Sequence, residues 1–83
     1  MDTFESRDLM LSAAILSEGL PLLRTKDLGS HLIFVFGMPA ACKKIEEAWW
    51  AGTLTINASM YAEAIKRLKN LVHSRSIPGK EVR

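Results

Sequence analysis

Cysteine and histidine, the side chains that most often carry chemistry, are nearly missing from this chain: it has one cysteine, Cys42, and two histidines, His31 and His73. A single thiol excludes an internal disulfide and leaves no second thiolate for a structural zinc quartet, so a reducing cytoplasm is the expected setting. The sequence also lacks a nucleophile elbow, a phosphate-cradling glycine loop, a metal-ligand spacing and a close carboxylate pair for acid–base work. Glu46-Glu47 reads as an acidic step on a helix surface. His31 reads as a strand residue beside a turn, and Cys42, on an apolar helix arc, as inert core. These absences argue against an enzyme, a cofactor and a small-molecule substrate. Long apolar runs are absent too. The most apolar stretch, Leu9 to Leu23, is broken by Ser12, Ser17, Glu18, Gly19 and Pro21 and follows acidic Asp2, Glu5 and Asp8. Neither a signal peptide nor a membrane span is expected from it.

What is present fits one small globular domain. At 83 residues, 48% hydrophobic and 24% charged, the chain is near the size at which burial becomes limiting, roughly 60% of the unfolded surface. One core is expected, with or without a partner to complete it. Net charge is +2 but uneven. Residues 1–30 carry 3 basic and 5 acidic side chains, residues 31–65 carry 2 and 3, and residues 66–83 carry 6 and 1. The C-terminal quarter is therefore a basic segment on a mildly acidic body, a pattern that suits an anionic partner or solubility alone.

Patterning gives an order of helix, hairpin, helix, short strand and helix, an α+β, two-layer domain over residues 1–75 with a small antiparallel or mixed sheet. A flexible basic tail is expected over 76–83, where Pro78 and Gly79 prevent a helix from continuing. Ser6 is expected to cap a first helix that carries Asp8 in its first turn, ends at Gly19 and buries Leu9, Ala13 and Leu16 with Met10 and Ala14. Two apolar segments then flank Asp27-Leu28-Gly29-Ser30, a hairpin connection. The second of them, His31 to Phe36, is apolar on both faces, which places it in the middle of a sheet. Pro39 suits the first turn of a second helix ending at Gly52. Thr53 to Ile56 is expected as a third strand, and Asn57 as the cap of a last helix running to about Ser74.

At about 100° per residue, Ala41, Cys42, Ile45, Ala48 and Trp49 share one apolar arc, whereas Trp50 points between Lys43 and Glu46. Trp49 therefore reads as a core plug. For Trp50 three readings stand: folding over Leu54, a protein interface, or base stacking. In the last helix the expected buried arc is Ala58, Tyr61, Ala62, Ile65, Leu68 and Val72, with Lys69 inside it. Lys66, Lys69 and His73 form a stripe along its border. A lysine on an apolar arc must snorkel, pair with a carboxylate or meet an anion, and the carboxylate expected to pair with Lys69 is Asp8.

The succession S-R-D-L-x-L-x-A-x-I-L-x-x-G, a hairpin ending F-V-F, and A-W-W-x-G-x-L-x-I-x-A-x-x-Y-x-x-A-I-K-R-L-K resembles a small uncharacterised domain family of bacterial and phage genomes. The likeness covers residues 6 to 73 approximately. It implies recurring positions at Asp8, Phe34 to Phe36, Trp49 or Trp50, Gly52, Leu68 and Lys69, and it brings no established activity. Met38-Pro39-Ala40 departs from the acidic or serine-containing helix start that the resemblance implies.

The function expected is that of a non-enzymatic binding and assembly module, acting through self-association, as a dimer, or through protein partners. The alternative is a nucleic-acid-binding accessory protein of bacterial or mobile-element origin. Its phosphate contacts would come from Lys66, Arg67, Lys69, His73, Arg75 and the tail, with Trp50 as an aromatic contact.

Overall fold

The computed structural model describes residues 2–76, with side chains as far as Ser74. The expected tail lies outside the described residues from position 77 onward. The elements are β1 (Phe4–Ser6), α1 (Leu9–Ser17), β2 (Leu22–Asp27), β3 (Leu32–Phe36), α2 (Pro39–Ala51) and α3 (Ala58–Ser76). The three strands form one antiparallel sheet in the order β1-β3-β2.

The hairpin forms where the turn residues require it. The Asp27 carboxylate accepts from the Gly29 N–H at 2.9 Å, and Gly29 adopts φ 89°, a conformation open to glycine at little cost. β3 is central, as its two apolar faces imply. The third strand is not Thr53–Ile56 but Phe4–Ser6, which pairs Phe4 with Phe36 and Ser6 with Phe34. With β1 and β2 on either side of β3, both edges of the apolar strand are taken. The 53–57 segment instead links α2 to α3 in irregular conformation, with Leu54 and Ile56 half-buried.

Leu32, Phe34 and Phe36 join the core with Leu11, Ile15, Cys42, Ala64 and Leu68, so the helices cover that face of the sheet. Val35 belongs to the other face and is still wholly buried. Its register partners are Glu5 and Arg24, and Lys26 stands opposite Ile33. The Lys26 ammonium reaches across β3 to the Glu5 carboxylate at 2.6 Å. On that side the two flanking strands are thus joined over β3 by an ion pair.

α1 packs along α3 and also against α2. Its burial is consequently nearly all-round: Leu11 to Ile15 and Ser17 are buried, while Met10 is half-exposed. The one-sided arc expected from the sequence, with Met10 inside it, is corrected by this placement between neighbours on several sides. The cap is corrected as well. Asp8, not Ser6, is the N-cap: its carboxylate accepts from the Leu11 N–H at 3.1 Å. Ser6 closes β1 and its hydroxyl accepts from the Asp8 N–H at 3.2 Å.

Candidate interaction surface

α2 begins at Pro39, whose fixed φ suits a first helical position and whose missing N–H costs nothing there. It ends at Gly52, with φ 76° and its N–H returned to the last turn. Between these limits Cys42 is fully buried, and Ile45 and Trp49 pack on the core. The Cys42 thiol lies 3.4 Å from the Gly37 carbonyl, and burial pushes its pKa up, the opposite of what a thiolate nucleophile needs. Trp50, 100° further round, is 67% exposed. The helix already uses Trp49 as its core aromatic, so Trp50 presents most of its ring to solvent beside Glu46, Glu47 and Lys43.

α3 is capped by Asn57, whose side chain accepts from the Met60 N–H at 3.0 Å. Its buried side carries Ala64 and Leu68, flanked by half-buried Tyr61, Ile65 and Val72. That arc is turned about 45° from the expected one, which brings Ala64 in and leaves Ala58, Ala62 and Lys69 exposed. The reason is the packing of α1 along this side of α3, with Leu16 and Ser17 lining one groove with Ala64, a placement that spacing within α3 does not specify.

This rotation decides the fate of the expected site residues. Lys66, Lys69 and His73 are all exposed and fall within about 60° of one another, a single basic strip. Arg67 lies on the opposite flank. The side chain of Arg75 is outside the described residues. The expected pairing of Lys69 with Asp8 is not formed, because the Asp8 carboxylate caps α1 and Lys69 points to solvent. Asp8 lies instead near Tyr61, about 12 Å before Lys69 along the helix axis. Burial first, and the Asp8 charge second, raise the Tyr61 pKa. The Tyr61 hydroxyl donates to the Met10 carbonyl at 3.3 Å.

One feature absent from the sequence reading is a groove of about 380 Å³ between Leu16 and Ser17 of α1 and Ser59, Met60, Glu63, Ala64 and Arg67 of α3. No local pattern announces it, since it exists only where two helices meet. Among the described residues no three His, Cys, Asp or Glu side chains gather as metal ligands, and no helix is long and apolar enough to cross a membrane. No family model, curated protein or solved structure matches the chain.

Proposed function

We propose that this protein is a non-catalytic binding and assembly domain of the cytoplasm that dimerises through the exposed face of α2, with Trp50 as the anchor. The observation that carries the reading is the 67% exposure of Trp50 next to a tryptophan that already serves the core. An accessible tryptophan is costly to leave in water, and the residue is among the strongest interface anchors.

The sheet edges are poor alternatives for self-association. Antiparallel self-pairing of β2 centred on Thr25 sets Arg24 against Lys26 of the copy. Centred on Arg24 or Lys26, it sets that cation against itself. β1, only three residues long, sets Glu5 against Glu5 when centred. Like charges directly opposite destabilise a pair of strands, and charged edges are how sheets avoid joining. Light scattering on the wild-type chain from about 10 μM to 1 mM tests the reading, with a mass rising toward twice the monomer as the expected result. A monomer mass over the whole range overturns it.

A second reading, contact with nucleic-acid phosphates, is favoured by one observation: Lys66, Lys69 and His73 share one exposed strip of α3. Two lysines correspond to a slope of about −2 in log affinity against log salt. Replacing both by alanine removes that slope if the strip binds DNA, and absence of wild-type binding at about 50 mM salt rejects this reading.

A further inference from the structure

We infer that the receptor for Trp50 is the α1–α3 groove of a second copy, so that two reciprocal insertions hold the dimer. This rests on the self-association reading above and adds where each indole goes. The groove offers about 380 Å³ and is open to solvent on one side, a volume at the small end of ligand clefts. Leu16, Met60 and Ala64 give it apolar walls that match the indole faces.

The polar groups suit the indole as well. Its N–H can only donate. The Ser17 hydroxyl already donates to the Ala14 carbonyl at 2.8 Å, so its oxygen is left as an acceptor facing the groove. Ser59 adds a second hydroxyl.

Charge supplies the complementarity. Glu46 and Glu47 precede Trp50 by one helical turn and accompany it to the interface, with Lys43 a further turn back on the same side. Arg67 on the groove rim makes no ion pair among the described residues. Insertion of Trp50 brings the two carboxylates toward that guanidinium. Glu63, one turn before Arg67 on the same rim, opposes them, so its charge weakens the contact. Trp50 near the end of α2 and Ser59 near the start of α3 flank the connection 53–57. A two-fold contact needs both on the same patch, and then closes without growing into fibres.

The test is the dimer dissociation constant of the full chain and its variants, measured by sedimentation equilibrium, with circular dichroism confirming that each variant folds. Arg67→Glu is expected to weaken the dimer about tenfold or more, and Glu46→Lys with Glu47→Lys added to Arg67→Glu to recover most of that loss. Ser59→Phe fills the groove and abolishes dimerisation, whereas Glu63→Gln tightens it. Arg67→Glu and Ser59→Phe both within about twofold of wild type, with Trp50→Ala monomeric, overturn the groove and leave the Trp50 reading standing. Wild type monomeric at about 1 mM overturns both.

Discussion

Truncating Trp49 and Trp50 one at a time separates folding from association, because neighbouring positions on α2 point about 100° apart. Trp50 keeps 67% of its surface in water in the monomer, which for an indole is about 170 Å² out of roughly 250. At about 25 cal/mol per Å² its burial in a partner is worth about 4 kcal/mol, of which immobilising the side chain offsets about 1. Each dimer buries two copies, so Trp50→Ala is expected to remove about 4 to 6 kcal/mol and to raise Kd by a factor of at least about 1,000. The same substitution leaves the isolated monomer within about 0.5 kcal/mol of wild type. Trp49, half-buried against the core, behaves inversely: Trp49→Ala costs the fold about 2 to 3 kcal/mol, or roughly 10 to 20 °C in Tm. Melts belong at about 10 μM, where the chain is monomeric and association adds nothing to stability. If Trp50→Ala lowers the monomer Tm as far as Trp49→Ala does, the assignment of one tryptophan to the core and one to the surface is wrong.

The Ser12 hydroxyl is wholly buried in α1 without a hydrogen-bond partner, so Ser12→Ala is expected to stabilise the fold by about 1 kcal/mol; a clear fall in Tm would mean the hydroxyl is satisfied. Asp8→Ala removes the α1 cap and costs about 1 kcal/mol, whereas Lys69→Met stays within about 0.5, and a double-mutant cycle shows coupling below about 0.5; a larger coupling would restore the ion pair that the structure replaces with a cap. Above pH 8 the fold is expected to weaken. Cys42, through burial, and Tyr61, through burial and then the Asp8 charge, hold their protons more tightly when folded. Their stabilisation is full below the unfolded thiol value of about 8.5 and is lost as pH rises through the folded values. Cys42→Ala should flatten the first part of a Tm-against-pH curve, and an unchanged curve would remove the thiol from the account.

Local pattern was enough for every feature that a single segment fixes within itself. Asp27 and Gly29 set the turn, Pro39 and Gly52 bound α2, and Asn57 caps α3. Apolarity on both faces put β3 in the centre, and 100° spacing sent Trp49 and Trp50 to different sides. What failed was whatever depends on a distant segment. Three residues, Phe4 to Ser6, are too few to show a period, and they become a strand because β3 offers an open edge. Ala62 and Ala64 are the same residue in sequence; only the close approach of α1 buries one and turns Lys69 out. Asp8 caps α1 because β1 ends just before it. The groove arises from helix contact, and the Lys26–Glu5 pair from reach across β3. Periodicity encodes which side of a segment is apolar, whereas packing decides which neighbour that side meets and how closely.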